Sequence, residues 1–340
     1  MKGKTTPIDI AHLAGVPQAT VSRKLAGSQR VNKETLRSIQ TAAKQPNFNA
    51  DKSASHLRRM HTGTLALLFF EGQAADESHI NPFLLSMLGS ISRACALQGY
   101  DLLISFQQLS DDWHAGFADS KKADGLILLG YRDHLACRDK LEKLVEHGTH
   151  VVRWGAVLPG QPGVSFGSDN VRGGQEVTAH LIERGCRRIA FLGDATSHSP
   201  ESFDRYGGYV DALQLAGIEI DPVLQKHAES TEHSGYEAMR ALIQREIGFD
   251  AVFAASDLIA IGAMRALGDH GLRVPQDVAL AGFDDIATAS FINPPLTTVL
   301  QDTSHAGAVL VGNLLRLIRG EAVESDVLPV KLKIRRSSLR

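Results

Sequence analysis

From residue 64 onward, short apolar runs alternate with stretches of helical apolar spacing, and this alternation restricts the fold more than any other feature of the chain. LALLFF is followed by a helical pattern over 82–98, then YDLLISF, a further helix, ADGLILLG, a helical pattern over 136–147 and HVVRWG. A second series repeats the scheme with RIAFLG, 209–216, a short strand near 224–227, 234–244, AVFAAS, 260–270 and VALAGFDD. Repeated strand–helix alternation implies parallel sheets covered on both faces and joined by right-handed crossovers. Two such series predict two similar lobes. The remaining TTVLQD, a helix over 304–319 and the extended VLPVKLKI are long enough to cross back between the lobes and complete both sheets.

Open parallel sheets bind ligands beyond the carboxyl ends of their strands. Two facing lobes therefore place a cleft among the strand-end loops. The residues there are Arg153 and Trp154 after one strand, Ser256 and Asp257 after another, Asp284 and Asp285 after a third, and Gln301 after Leu300. A carboxylate, an arginine and an amide can hydrogen-bond vicinal hydroxyls, and flat rings can stack on aliphatic ring faces, so the set suits a polyhydroxylated sugar. The same residues also read as a turn or helix cap at Asp284-Asp285 and a core side chain at Trp154.

The first 60 residues carry 11 Lys/Arg and 3 Asp/Glu, a net +8, although the whole chain is −2; the other 280 residues are therefore −10. Such a split predicts a basic module for a polyanion attached to an acidic body. Within the basic part, Thr6 reads as an N-cap, with Pro7 at the first helical position and Asp9 in the first turn. Ile10, Leu13 and Ala14 form an apolar stripe. Gly15 can end the helix in the left-handed conformation, and Pro17 opens a second helix over 18–25 with Val21 and Leu25 facing inward. A third helix over 32–44 turns Leu36, Ile39 and Ala43 inward before Pro46.

Two short helices joined by a tight glycine turn make a helix-turn-helix, whose second helix presents its N-terminal side chains to base edges in the DNA major groove. Here those side chains are Gln18, Ala19, Thr20, Ser22 and Arg23. Arg23 has the fork that pairs with guanine, Gln18 can read adenine, and Ala19 offers a methyl contact. Thr6, Thr20 and Ser22 suit phosphate oxygens. The pattern is also that of a small helical subdomain with a solvated basic face.

The run IA.LAGV..ATVSR.L.G...V...T within residues 5–44 resembles the headpiece of the lactose-repressor/galactose-repressor family. The resemblance implies that Gln18, Ala19 and Arg23 hold base-reading positions and that residues 51–59 form a hinge helix. In that family the hinge forms on DNA, and two copies enter the minor groove with a wedging leucine. Leu57 falls at the leucine position and Ala54 at the alanine before it, while Ser55 stands where an arginine is frequent. PNFNAD over 46–51 departs from the usual Leu-Gly-Tyr-x-Pro-Asn run. These matches imply a DNA-binding domain over 1–48, hinge and linker over 49–61, and a two-lobed effector-binding and dimerisation domain over 62–340.

The body resembles the same family in the blocks NPFLLSMLGSISRACALQGYDLLI, SDNVRGGQEVTAHLIERGCRRIAFLGD, RYGGYVDAL, FAASDLIAIGAMRALGDHGLRVPQDVALAGFDDI and PPLTTVLQD. It also resembles type I periplasmic sugar-binding proteins. By that likeness Arg205 grips a sugar hydroxyl pair, Asp284 is the sugar-binding aspartate of the GFDD turn, Gln301 is a cleft-closing amide, and Phe83 belongs to the cleft wall. Ser256 replaces a common asparagine.

Other classes fit less well. The chain lacks GxxxxGK[ST] and HExxH, so neither a nucleotide-binding loop nor a metalloprotease pair supports an enzyme. It has neither an apolar run long enough for a membrane helix nor a secretory leader, which predicts a cytoplasmic protein. Three scattered cysteines, Cys95, Cys137 and Cys186, predict neither a disulfide frame nor a metal site. No cofactor is expected. The expected protein is a repressor of transcription that binds pseudo-palindromic double-stranded operator DNA as a homodimer. The six residues after Ile334 are too few for the extra helix that makes some relatives tetramers. A sugar, glucoside or oligosaccharide is expected as the effector, with a purine or nucleoside as the alternative.

Overall fold

The computed structural model describes residues 11–25, 35, 38, 61–70, 81–107, 122–130 and 134–339; within these, the side chains of 22–25 and 134–137 are not described. The chain divides into two compact units, Met1–Gly63 and Thr64–Arg340.

In the first unit, residues 11–13 end a helix, Gly15 takes φ 64°, and helix α1 follows over Gln18–Leu25. The Val16 amide donates to the Ala11 carbonyl at 3.0 Å, which closes the turn. Left-handed backbone at this point is what makes glycine fit between two helices. The expected inner stripe needs one correction. Ala11 and Val21 are buried, whereas Leu13 is 55% exposed and Ala14 is half-buried. The inner face therefore runs through Ala11, one position round the helix from where larger apolar residues alone would put it. Thr6, Ile10, the third helix except for Thr35 and Ser38, and the whole hinge with Ala54, Ser55 and Leu57 lie outside the described residues.

The second unit contains two six-stranded sheets. Sheet one comprises β1 (Thr64–Phe70), β2 (Asp101–Gln107), β3 (Gly125–Leu129), β4 (Val151–Trp154) and β5 (Val164–Ser168), with helices α2 (Pro82–Leu97) and α3 (His134–Glu146) between them. Helix α4 (Asn170–Glu183) leads into sheet two, which holds β6 (Ile189–Leu192), β7 (Gln225–Lys226), β8 (Ala251–Ala254), β9 (Ala279–Asp284) and β10 (Thr297–Leu300). Helices α5 (Pro200–Leu215), α6 (Glu232–Ile243) and α7 (Asp257–Asp269) connect those strands. The chain then returns through α8 (Thr303–Ile318), which packs on α2, and ends with β11 (Asp326–Leu328) and β12 (Lys331–Lys333).

The strand orders are β11-β5-β4-β3-β1-β2 and β12-β10-β9-β8-β6-β7, parallel throughout except that β12 runs antiparallel to β10. VLPVKLKI thus contributes one strand to each sheet. The chain passes between lobes three times, at 168–170, 300–303 and 328–331, and the Asp169 amide ties two passages together by donating to the Leu328 carbonyl at 2.9 Å. Central strands β1, β3, β6, β8 and β9 are buried on both faces, as their unbroken apolar runs require.

Strand β5 and helix α4 were absent from the sequence alternation, and α5 begins nine residues before the pattern expected at 209. Both helices contain a glycine pair that reads as a break. The glycines serve packing instead: a Cβ at Gly174 would overlap the Arg205 carbonyl, and one at Gly208 would overlap the Val171 carbonyl. The two backbones can approach only because those positions lack side chains, and the approach sets Arg205 beside Asn170.

Candidate functional site

The site is built where the carboxyl ends of sheet two meet the crossings. Arg205 leaves the first half of α5, only 8% exposed. Its Nε donates to Asn170 Oδ1 at 2.8 Å, its Nη1 donates to the Ala255 carbonyl at 2.5 Å, and its guanidinium carbon lies 3.8 Å from the Phe283 ring centre. Asp284 ends β9, with Oδ1 3.7 Å from Arg205 Nη1 and accepting from Gln301 Nε2 at 2.7 Å. Gln301 lies in the second crossing, and its side chain is buried. An arginine fork, a carboxylate and an amide therefore converge from a helix, a strand end and an interlobe passage.

A second carboxylate backs this group. Asp257 opens α7 fully buried, accepting from Thr298 Oγ1 at 2.5 Å and from the Ile286 amide at 2.9 Å. Burial, and then the charge of Asp284, push its pKa well above the carboxylate range. Asp284 itself is pushed up to about 6 by burial, against the lowering effects of Arg205 and the Gln301 hydrogen bond. Burial pulls the Arg205 pKa below its ordinary value, while Asp284, Glu201, Asp257 and Asp204 act in the opposite direction. One guanidinium thus stands in the field of several carboxylates.

Lobe one holds the two expected site aromatics within its core. Phe83 and Trp154 are both buried, with ring centres 6.5 Å apart at a tilt of 43°. Phe83 is placed by the start of α2, where Asn81 Oδ1 accepts its amide at 2.9 Å. The lobes also touch directly, since the Ala156 amide beyond β4 donates to Glu201 Oε1 at 3.1 Å in the first turn of α5.

Two expected ligand residues are occupied elsewhere. Arg153 precedes Trp154 on β4, and successive strand side chains leave opposite faces. Its guanidinium donates to the Pro162 carbonyl at 2.7 Å, to Gln161 Oε1 at 2.7 Å and to Ser165 Oγ, bracing the β4–β5 connection. Ser256 caps α7, its Oγ accepting from the Ile259 amide at 3.3 Å. Strand-end position had suggested both residues, and the resemblance also suggested Ser256; the pleat and the helix start engage them in the bonds given above. Asn170 and Glu201 were missed because α4 and the first turn of α5 were missed; the Asp169 cap that opens α4 was the available signal.

On α1, Gln18 and Ala19 are exposed and Thr20 is half-buried; Ser22 and Arg23 belong to the helix backbone. Among the described residues no group of three or more His, Cys, Asp or Glu could hold a metal ion, and no helix is long and apolar enough to cross a membrane. Cys95 and Cys186 are buried, and burial pushes the Cys95 thiol up to about 11, which leaves it a packing residue.

Residues 8–51 match the model of bacterial regulatory proteins of the lacI family, and residues 178–338 match that of a periplasmic binding protein-like domain. The HTH-type transcriptional regulator CelR of Thermobifida fusca is 33% identical over 329 residues, covering 95% of this chain and 93% of that protein. The ribose operon repressor of Escherichia coli K12 is 29% identical, covering 91% and 92%. Among solved structures, a CelR–cellobiose complex superposes with a TM-score of 0.73 at 32% identity, covering 98% of this chain and 99% of that one. The lac repressor dimer bound to operator and the anti-inducer ONPF gives 0.82 at 25% identity, covering 99% and 100%. With a glycine-turned pair of helices at its basic end and two crossed-over sheets flanking a polar cluster in its body, the chain belongs to the LacI family of DNA-binding transcriptional regulators.

Proposed function

We propose that the protein is a homodimeric repressor whose affinity for a pseudo-palindromic operator is set by an uncharged sugar, a glucoside or oligosaccharide, bound between the lobes. The observation that carries the effector reading is the convergence of Arg205, Asp284 and Gln301, and we take the Phe83–Trp154 pair at the end of β4 as the expected cleft wall. A fork and a carboxylate can bridge neighbouring hydroxyls, and the two rings offer an apolar wall to a pyranose face. The carboxylates around Arg205 disfavour a phosphorylated or otherwise anionic ligand. The likeness to a regulator solved with cellobiose supports a disaccharide as the first compound to try.

The headpiece reads the operator through Gln18, Ala19 and Arg23, with Thr6, Thr20 and Ser22 on phosphates. Residues 1–48 form the DNA-binding part, 49–61 carry the hinge with Ala54, Ser55 and the wedging Leu57, and 62–340 bind effector and partner. Edge strand β2 supports a dimer, because Leu103, Ile104 and Phe106 are exposed on it. Control is by linkage: an effector that favours one arrangement of the lobes changes operator affinity only as far as it discriminates between the two arrangements. Coupling of about 1–3 kcal/mol is normal for such a device. The residues and the relatives' roles support a regulator rather than an enzyme.

The test is a thermal-shift panel of sugars and nucleosides, followed by operator binding with and without each stabilising compound. A stabilising neutral sugar that changes operator affinity is the expected result. A nucleoside that stabilises while every sugar fails would replace the sugar reading.

A further inference from the structure

After β12 the chain does not trail away. Ser337 and Ser338 are fully buried against β9 and β10. Ser337 Oγ donates to the Leu280 carbonyl at 2.6 Å and accepts from the Thr297 amide at 2.8 Å. Thr297 Oγ1 donates to the Arg335 carbonyl at 2.9 Å and accepts the Arg335 amide at 2.8 Å. With its one proton so used, Thr297 accepts from Ser338 Oγ, at 2.6 Å, and Ser338 in turn accepts from His180 Nε2, at 2.8 Å. Donors and acceptors balance with His180 neutral and protonated on Nε2, in keeping with the downward push of burial on its pKa. The backbone at 335 is thereby held from several sides.

That hold aims one side chain. Arg335 Nη1 donates to the Leu296 carbonyl at 2.9 Å, and Nη2 donates to Asp285 Oδ1 at 2.6 Å in an ion pair whose side chains are 22% and 13% exposed. Asp285 and its neighbour Asp284 take φ of 54° and 117°; among the described residues the only other non-glycine at positive φ is Glu246. L-residues persist in such backbone only where the surroundings over-determine them. Other restraints here include the β9–β10 pairing of Asp284 with Leu300, the Gln301 bond and the Arg205 contact to Asp284, the Ile286 amide on Asp257, and a longer bond of 3.4 Å from the Asp285 amide to Thr298 Oγ1.

We propose that Arg335 is a positioning residue for effector binding: anchored by the buried Ser337–Ser338–Thr297–His180 clip, it holds Asp285 and so keeps the strained Asp284 turn aiming its carboxylate into the cleft. This deepens the cleft reading of the preceding section and rests on it. Arg335 touches no ligand; its effect passes through the 284–285 backbone.

The test uses full-length protein with aspartate labelled at the carboxyl carbon, the Asp284 signal being assigned by its loss in Asp284→Asn, together with calorimetric titration of cellobiose. Arg335→Met and Asp285→Asn are compared with the parent, with Arg335→Lys as the conservative variant and exposed Arg336→Ala as the tail-charge control. Electrostatics alone would shift the Asp284 midpoint in opposite directions, since Met removes a nearby cation and Asn a nearby anion. Loss of placement lets water reach Asp284 and lowers the midpoint in both variants. The expected result is a fall of about one unit or more in both and cellobiose affinity weaker by about tenfold or more, with Lys restoring most of the loss and Arg336→Ala neutral. Opposite or absent midpoint shifts, or unchanged affinity in Arg335→Met and Asp285→Asn, would overturn the proposal. If Arg335→Met does not fold, Asp285→Asn decides alone, since Asn tolerates positive φ and still accepts from Arg335 without the charge; its midpoint fall must then come with the affinity loss. If the parent does not bind cellobiose, the choice of effector fails, and the midpoint shifts alone decide the role of Arg335.

Discussion

Asp284, the carboxylate proposed to bind the effector, carries a burial that works against the fold. Its folded pKa is raised to about 6 from an ordinary 3.8. The native state therefore holds the proton more tightly than the unfolded chain does. Stability from this group is full below the unfolded value and declines as pH rises through the window from about 4 to about 6. Asp284→Asn should accordingly raise the unfolding free energy of the ligand-free protein at pH 7 by roughly 1–3 kcal/mol, with the difference shrinking toward pH 4. The same variant should leave operator binding intact and abolish the sugar response. Denaturant melts at the two pH values, with operator titrations, check both halves; a retained full sugar response would show that the cleft has been placed on the wrong residues. On the DNA side, Arg23→Ala should lose discrimination at one base pair, about 1–3 kcal/mol, measured by competition between operator and point-altered operators. Strand-end position made Asp284 and Gln301 legible as candidates in the sequence, and the family resemblance added Arg205. It could not show that Arg153 turns to the opposite face of β4, because facing is a property of the pleat.

At the scale of elements, the alternation of apolar runs and helical spacing was enough to predict most strands and helices, including the final run that serves both sheets. It failed at β5, α4 and the first half of α5, where glycine pairs interrupt the helical pattern. A propensity argument counts each glycine against a helix, but two of these are demanded by a neighbouring backbone. Gly207 and Gly208 separate the two effects. A Cβ at Gly208 would overlap the Val171 carbonyl, whereas one at Gly207 would meet nothing within 4 Å. Gly208→Ala should force α4 and α5 apart and cost about 1–3 kcal/mol or more. Gly207→Ala should stabilise α5 by about 0.5–1 kcal/mol. Chemical denaturation of the two variants makes the comparison, and equal effects would mean that the helices are not in backbone contact. Because Arg205 lies between these glycines and Asn170, Gly208→Ala should also weaken sugar binding more than its stability cost alone would.

For the whole molecule, the charge split sets a division of work. The +8 segment over residues 1–60 should give operator affinity that falls steeply with salt, while the −10 body should repel DNA. Pairing is the other property at this scale. Phe106 stacks on Phe69 with ring centres 5.3 Å apart yet remains 46% exposed on edge strand β2. Phe106→Glu should shift the protein toward monomer in sedimentation and weaken operator binding, since a monomer presents one recognition helix to a two-half site. An unchanged dimer would move the interface to another face. The sequence by itself determined the α/β class, the two lobes, the shared final strands and the helix-turn-helix, because periodicity, caps and net charge are local properties written along the chain. Only the tertiary structure decided which strand-end residues meet: Asn170, Arg205, Asp284 and Gln301 come from four separate segments, and their convergence depends on crossings, glycine-permitted helix contacts and a tail that returns to Asp285. Such contacts join residues distant in sequence, so no local pattern encodes them.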